Sequence, residues 1–268
     1  MKKMIFFMYK LSQRFAYTTG KISKSELKKR IEAKRTFYGH KNLGEDIPLV
    51  WHDPELFGTT SPYYSNLRPD MVPYIPLNVK KILDIGCGAG AFRTNFGKDV
   101  EYWGVEPCED VARTATKLVD KVLMGTYDSV RSSIPQGYFD LVVCNDVIEH
   151  MQDPKKFLKD IRSKLAPGGK MIASIPNLRN AENIMELVVD GNFKYKDAGI
   201  LDYTHFHLFT KRSFVEMSTE CGWAVEVCRP INKMNFKRRD RHFASLAKHF
   251  IPEIKYLQIA ACLKPSEA

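Results

Sequence analysis

Residues 84–92 constrain the fold more than any other stretch of the sequence. They read DIGCGAGAF and follow the apolar run 81–85, which has the composition of a short buried strand. Glycine is used where the backbone needs a positive φ or where another group must approach it closely. A glycine-rich turn between a strand and a helix is typical of a nucleotide cradle. The dinucleotide pattern G-x-G-x-x-G needs its third glycine at position 91, but here it stands at Gly90, so that pattern does not fit cleanly.

Strand-like and helix-like segments alternate after this turn. We expect strands near 81–86, 101–106, 121–126, 138–145 and 170–175, helices near 90–97, 108–119, 153–165 and 211–221, and final strands at 223–228 and 256–262. This alternation predicts an α/β fold, a doubly wound Rossmann-like sheet that is mostly parallel. The stretch LAPGG at 165–169 is interpreted as a helix stop and a turn, so the fifth strand is expected to begin at Lys170.

The chain divides into an extension and a main domain. Residues 1–78 form the predicted extension, helical and basic at first and then rich in proline and aromatic residues, which could serve as a lid or contact the acceptor. The predicted main domain covers 79–268, with insertions at 176–208 and 231–252. At 268 residues the chain is long enough to bury a full hydrophobic core.

The net charge of +10 is concentrated in two segments. Residues 1–46 carry 12 basic and 4 acidic side chains, and residues 229–248 carry 7 and 1. Such segments attract anionic partners, although they could equally be solvated faces. The six cysteines form no C-x-x-C pair, and no run approaches the roughly 20 apolar residues that span a bilayer. We therefore expect a cytoplasmic protein with reduced thiols, which could associate peripherally with the acidic inner face of a membrane.

Glu106 is the acidic residue that gives the glycine turn a specific meaning. It ends the second predicted strand, twenty residues after Gly86, the spacing at which a carboxylate takes up ribose hydroxyls. In open α/β sheets, ligands bind beyond the carboxyl ends of the strands. Asp84 could accept hydrogen bonds there from an ammonium group or from the backbone of the turn.

Four ordered motifs resemble those of class I S-adenosylmethionine-dependent methyltransferases. They are DIGCGAG at 84–90, Glu106, FDLVVCND at 139–146 and LAPGG at 165–169, and the resemblance covers roughly residues 80–230. It implies S-adenosylmethionine as cofactor and a seven-stranded sheet whose last strand, 256–262, runs antiparallel beside 223–228. It also implies a set of cofactor-binding residues: Asp84, Gly86, Cys87, Gly88, Gly90, Glu106 and Asn145. Many relatives have an aspartate facing the adenine after the third strand, and Thr126 or Asp128 is the expected substitute here.

The stretch NDVIEH at 145–150 has two interpretations. On a helix, Asp146, Glu149 and His150 share one face and could form a general base, or a divalent-cation site of the kind that quinone-directed O-methyltransferases of similar sequence use. Alternatively, Asp146 caps a helix and Glu149 completes a capping box. We predict catalytic roles for His150 and Asp146 and no bound metal.

A second histidine-bearing segment lies in the insertion after the fifth strand. The run DYTHFHLFT at 202–210, together with YYSNLRP at 63–69, resembles methyltransferases of surface-polysaccharide and O-antigen assembly. A hydroxyl loses a proton as it accepts a methyl group, and histidine can take that proton near neutral pH. His205 is favoured over His207 as a second candidate base. The predicted substrate-binding residues are Tyr63, Tyr64, Arg68, Asp202 and His207.

These observations predict an S-adenosylmethionine-dependent O-methyltransferase. The favoured acceptor is an anionic small molecule or glycan, methylated on a hydroxyl of a sugar, sugar phosphate or nucleotide-linked sugar. The alternatives are a quinone-like small-molecule O-methyltransferase with or without a metal, an RNA methyltransferase drawing on the KRRDRH run at 237–242, and a regulator that binds the cofactor without catalysis. No nucleic-acid partner is expected, because no RNA-binding module is recognisable.

Overall fold

The structure, a computed structural model, describes residues 66–236 and 238–266. The predicted basic helix and most of the segment rich in proline and aromatic residues lie outside the described residues. The described part contains the whole predicted strand–helix alternation.

Seven strands form one sheet. In chain order they are β1 (Lys81–Ile85), β2 (Glu101–Glu106), β3 (Lys121–Met124), β4 (Phe139–Asn145), β5 (Leu165–Pro176), β6 (Trp223–Lys233) and β7 (Tyr256–Pro265). Their order across the sheet is β3-β2-β1-β4-β5-β7-β6. The first five strands are parallel, and β7 lies antiparallel between β5 and β6. The predicted sheet, with its antiparallel last strand, is confirmed.

Six α-helices lie in the described part of the chain. They are α1 (Glu109–Ala115), α2 (Tyr127–Val130), α3 (Pro154–Ile161), α4 (Ala181–Val188), α5 (Lys211–Glu220) and α6 (Arg238–Ala247). Short 3₁₀ turns complete several connections, including Ala91–Asn95 after the glycine turn and Ile148–His150 after β4. The helix expected over 90–97 is therefore a 3₁₀ turn.

The fifth strand begins earlier than the sequence predicted. β5 starts at Leu165, which pairs with Phe139, and the ladder resumes with Lys170 opposite Leu141 after a register shift. The LAPGG stretch is thus an irregular part of the strand, not a turn before it. Gly169 is required there, because a Cβ atom would lie 2.8 Å from the carbonyl oxygen of Phe139.

The core lies on both faces of the sheet. Leu83 and Val142 belong to one buried cluster, whereas Ile82 and Leu141 belong to another. Alternate side chains of a strand point to opposite faces, so clusters on both sides explain why these strands read as continuous apolar runs. Each such side chain contributes about 1.5–3 kcal/mol when fully buried.

The chain leaves β1 in one direction across the sheet, towards β2 and β3, and returns to the other side of β1 as β4. This reversal opens a crevice beyond the carboxyl ends of β1 and β4, where ligands of such sheets bind. Among the described helices, none has the length and apolar character that crossing a membrane requires. All six cysteines lie in the described part, and none is in a disulfide.

Candidate active site

A cavity of about 200 Å³ opens beyond the carboxyl ends of β1, β2 and β4. Nine residues that the sequence predicted for cofactor, catalysis or substrate line it: Arg68, Asp84, Gly86, Cys87, Gly88, Glu106, Asn145, Asp146 and His150. The cavity therefore joins the predicted cofactor cradle to one of the two predicted bases.

The glycine turn forms one wall because its residues adopt conformations that other residues avoid. Gly86 has φ of 71° and Gly88 has φ of 55°. A Cβ atom on Gly86 would also lie 2.6 Å from a methyl group of Val147. Gly90 differs in its contacts, because a Cβ there would meet Val119, in the core behind the turn. Gly86 and Gly88 thus bring the backbone up to the cavity, whereas Gly90 allows the turn to pack.

The carboxylate of Glu106 fixes the shape of the turn. One oxygen accepts a hydrogen bond from the backbone N–H of Gly88 at 3.0 Å, and the other accepts from Cys108 at 2.9 Å. Burial raises the pKa of Glu106 to about 7, against the opposing effect of these two hydrogen bonds. The carboxylate is the polar group on this wall that could hold ribose hydroxyls.

Asp84 lies deeper in the same wall. Its carboxylate accepts a hydrogen bond from the hydroxyl of Tyr102 at 2.6 Å. Burial raises the pKa of Asp84 to about 7, and the nearby Glu106 adds to this shift. Two carboxyls that ionise near neutrality make the negative charge of this wall dependent on pH.

Asn145 and Thr126, both predicted to contact the cofactor, differ in their positions relative to the cavity. Asn145 ends β4 and lines the cavity, and its buried side-chain oxygen accepts no hydrogen bond from the residues that the structure describes. It could therefore accept one from a ligand. Thr126 lies outside the cavity lining, and its hydroxyl accepts from Ser129 and caps α2 instead.

Arg68 and Asp146 form an ion pair on the opposite wall. Arg68 Nη1 lies 2.6 Å from a carboxylate oxygen of Asp146, and Asp70 binds the same guanidinium at 2.8 Å. Asp146 also accepts from the hydroxyl of Ser174 at 2.9 Å and from the amide of Gln258. The buried guanidinium on the cavity wall could pair with the carboxylate of an amino-acid ligand.

Neither helix-based interpretation of 145–150 holds, because no α-helix forms there and Asp146 caps none. Asp146 has φ of 56°, in the left-handed region, and only the single 3₁₀ turn Ile148–His150 follows. Asp146 therefore faces Arg68, with which it forms an ion pair. Burial, with Asp146 second in effect, raises the pKa of Glu149 well above its ordinary value.

The predicted acceptor loop packs against this turn. The backbone N–H groups of Phe206 and His207 both donate to the carbonyl of Glu149, at 2.9 and 3.1 Å. The buried ring of His205 packs edge-to-face on that of His150, with their centroids 4.7 Å apart. His150 lines the cavity, whereas His205 lies behind it.

The remaining predicted acceptor residues lie elsewhere. His207 stacks on Phe209, and its Nε2 lies 3.3 Å from the carbonyl oxygen of Gln152. Asp202 is buried within its own loop. Tyr63 and Tyr64 lie outside the described residues.

Three side chains that could ligate a metal lie together. Glu149, His150 and His205 are buried, and one potential ligand atom from each falls within 4.8 Å of the others. Asp146, which the sequence placed in this group, is not a member because it is turned towards Arg68. Neither carboxylate oxygen of Glu149 accepts a hydrogen bond within the described part of the chain.

Sequence reasoning missed Ser174, Gln258 and Thr204. Ser174 and Gln258 hold Asp146 from β5 and β7, and Thr204 contacts His150. These contacts join residues 28, 112 and 54 positions apart, so no local motif could signal them. Within the basic run considered for RNA, residues 238–242 begin α6, where Arg239 pairs with Asp190 and Asp240.

Comparison with known proteins defines the class. Residues 59–226 match a family described as "Methyltransferase domain". Because this match covers more than half of the sequence, the chain belongs to that family of methyltransferase domains. The predictions of a class I S-adenosylmethionine-dependent methyltransferase domain and of S-adenosylmethionine as its cofactor are confirmed.

Among individual proteins, the chain is similar to several named ubiquinone biosynthesis O-methyltransferases. The mitochondrial protein of Schizosaccharomyces pombe is 29% identical, over 44% of this chain and 48% of its own. The Thiobacillus denitrificans protein is 29% identical over 56% of this chain and 67% of its own. The Shewanella halifaxensis protein is 24% identical over 68% of this chain and 82% of its own. The chain therefore spans about half the length of the first of these relatives.

Solved structures support the fold. The structure of a SAM-dependent methyltransferase from Archaeoglobus fulgidus aligns with a TM-score of 0.54 and 18% identity, over 79% of this chain and 94% of its own. The structure of a SAM-dependent methyltransferase from Aquifex aeolicus aligns with a TM-score of 0.52 and 12% identity, over 79% of this chain and 97% of its own. At this level of identity, the likeness concerns the fold alone.

Proposed function

We propose that the protein transfers the methyl group of S-adenosylmethionine to a hydroxyl of a small, quinol-like aromatic acceptor. The observation that carries the proposal is the position of His150, an imidazole on the wall of the cavity that also holds Glu106 and the glycine turn. The names of the relatives support oxygen as the methylated atom and favour a quinone-like acceptor. The sugar acceptor, which the sequence favoured, receives no support from them.

Each wall has a defined task in this reaction. When bound, the cofactor supplies an electrophilic methyl group on a sulfonium. Glu106 would hold the ribose, Arg68 the carboxylate and Asp84 the ammonium end. His150 would take the proton from the acceptor hydroxyl as the oxygen forms its bond to the methyl carbon and the carbon–sulfur bond breaks. The enzyme therefore contributes alignment, exclusion of water and proton removal.

A metal-assisted form of this reaction is a second candidate, favoured by the convergence of Glu149, His150 and His205. Two imidazoles and one carboxylate suit a transition metal better than Mg²⁺, which prefers oxygen ligands. Activity that a chelator abolishes and a divalent cation restores would favour this form. Activity that persists under chelation would exclude it.

The test of the proposal is methyl transfer from radiolabelled S-adenosylmethionine to acceptors of two classes. Catechols and quinols form one panel, and nucleotide sugars and sugar phosphates form the other. The proposal predicts label on the aromatic hydroxyls. Label on the sugars alone, with none on the aromatic panel, would contradict it and restore the glycan acceptor.

A further inference from the structure

The ring nitrogens of His150 have different surroundings, and this difference determines which one can act as a base. Nδ1 lies 3.1 Å from the hydroxyl oxygen of Thr204 and 3.3 Å from its carbonyl oxygen. A carbonyl oxygen can only accept a hydrogen bond. Nδ1 of the neutral ring must therefore carry the hydrogen, which leaves the lone pair on Nε2.

Thr204 is held in turn by Asp202. The hydroxyl of Thr204 donates to Oδ1 of Asp202 at 2.7 Å, and its backbone N–H donates to the same oxygen at 2.7 Å. Because the hydroxyl hydrogen points to Asp202, the oxygen of Thr204 offers its lone pair to His150. A directed chain thus runs from His150 Nδ1–H through the threonine hydroxyl to a buried carboxylate.

The loop that carries this chain is fixed to the cavity wall. The backbone N–H of Asp202 donates to the carbonyl of Gly199 at 3.0 Å, and Nδ1 of His205 donates to the carbonyl of Ile200 at 2.9 Å. The ring of His205 also packs against the ring of His150. The loop therefore constrains both the plane of the His150 ring and its tautomer.

We infer that Thr204 and Asp202 are positioning residues, which hold His150 as the Nδ1–H tautomer and so leave Nε2 as the ring nitrogen that can accept a proton. This inference rests on the proposed function for its catalytic meaning, but the tautomer itself can be observed without an acceptor. It assigns a role to the DYTH segment that differs from acceptor binding. Glu149, His205, Asp146 and Arg68 are the other charged or titratable groups near the ring.

The decisive measurement is ¹⁵N NMR of the histidine rings in the full-length protein at pH 8, with the His150 signals assigned by their loss in His150→Gln. The wild type should show a protonated Nδ1 and an unprotonated Nε2. In Thr204→Val, which keeps the shape of the side chain but removes the hydroxyl, the two shifts should move towards each other. Thr204→Ser should restore the wild-type pattern. An Nε2–H tautomer in the wild type would overturn the inference. Unchanged shifts in Thr204→Val, which keeps the backbone carbonyl, would overturn the role of the hydroxyl and of Asp202 and leave the carbonyl as the group that sets the tautomer.

The second measurement is the turnover rate with catechol as acceptor. Thr204→Val should lower kcat about 10-fold, a typical cost of removing a residue that orients a ligand or base. The affinity for S-adenosylmethionine, measured by calorimetry, should stay within about 2-fold, since the cofactor wall is untouched. Asp202→Asn keeps an accepting oxygen and removes the charge. If this variant lowers kcat less than Thr204→Val does, Asp202 acts by orienting the threonine hydroxyl and not by its charge. Thr219→Val, on the exposed face of α5, is the matched control.

The two hypotheses fail differently. If His150→Gln retains full turnover, the proposed base is wrong whatever Thr204 does. If His150→Gln is inactive while Thr204→Val is fully active, or if Thr204→Val and Thr204→Ser are equally impaired, only the positioning role is wrong.

Discussion

The two walls of the cavity are built in different ways. The cofactor wall consists of the ends of adjacent parallel strands, and its central contact joins Gly88 to Glu106, 18 residues apart. The opposite wall brings together Arg68, Asp146 and Ser174 from segments up to 106 residues apart. The first wall is a local product of two adjacent strands and the glycine turn after the first of them, whereas the second exists only when the whole sheet has formed.

We therefore expect the cofactor wall and the His150 loop to affect different steps, whereas Arg68 should contribute both to stability and to cofactor binding. Residues of the cofactor wall, Glu106 above all, should govern the affinity for the cofactor. His150 and its loop should govern the rate of transfer after the cofactor is bound.

The largest expected effect is that of His150→Ala on turnover. Loss of the base should lower kcat by about 100-fold or more. The affinity for S-adenosylmethionine should stay within about 2-fold, because the cradle is intact. Steady-state kinetics and calorimetry on the same sample measure the two quantities. Equal losses of rate and affinity would break the proposed separation.

Glu106→Ala should give the reverse pattern. Hydrogen bonds to a charged group contribute about 1.5–3 kcal/mol, so the affinity for S-adenosylmethionine should fall about 10- to 100-fold. Glu106→Gln, whose amide oxygen can still accept from Gly88, controls for collapse of the turn and should bind with intermediate affinity. Wild-type affinity in Glu106→Ala would show that this carboxylate does not hold the cofactor.

Arg68→Met should affect stability as well as binding. The change leaves Asp146 without its cation, and breaking a largely buried pair costs about 2–3 kcal/mol of unfolding free energy. Denaturant unfolding measures this loss, with Arg212→Met on exposed α5 as the control. The variant should also bind the cofactor more weakly. Unchanged stability and affinity together would show that Arg68 neither stabilises this wall nor binds the cofactor.

The smallest expected effect is a pH dependence of cofactor affinity. The pKa values of Asp84 and Glu106 are both raised to about 7, chiefly by burial, so both carboxyls become protonated as the pH falls below 7. The cofactor's ammonium and ribose hydroxyls prefer the ionised forms. Affinity should therefore rise from pH 6 to pH 8, by at most about 10-fold for each carboxyl over this whole range.

Calorimetry across this range tests the prediction. Glu106→Gln should make the dependence shallower, because one of the two titrating groups is lost. Glu216→Gln, in the exposed part of α5, should leave it unchanged. An affinity that falls as the pH rises would reverse the assigned sign.

The same contrast explains what the sequence could predict. The sheet and the cofactor wall were predictable, because apolar strands, a glycine turn and a strand-end acid are local patterns with fixed spacing. The left-handed Asp146 was not, since its conformation depends on Arg68 and Ser174. A local pattern suggested a capping box there, and long-range contacts prevented it.

The histidines show how far local reasoning can reach. The sequence favoured His205 over His207, but residues two positions apart in an extended segment face the same side, so strand alternation gave no reason for that choice. It could not distinguish the roles of His205 and His150. The two histidines differ because His150 lines the cavity and contacts Thr204, and these contacts join distant parts of the chain.

The central claim is that one cavity holds the cofactor between Glu106 and His150. A crystal structure of the protein with S-adenosylhomocysteine tests it most directly. We predict the ribose hydroxyls on the carboxylate of Glu106, the amino-acid carboxylate at Arg68 and the sulfur facing Nε2 of His150. A ligand bound elsewhere, or a ribose turned away from Glu106, would contradict the account.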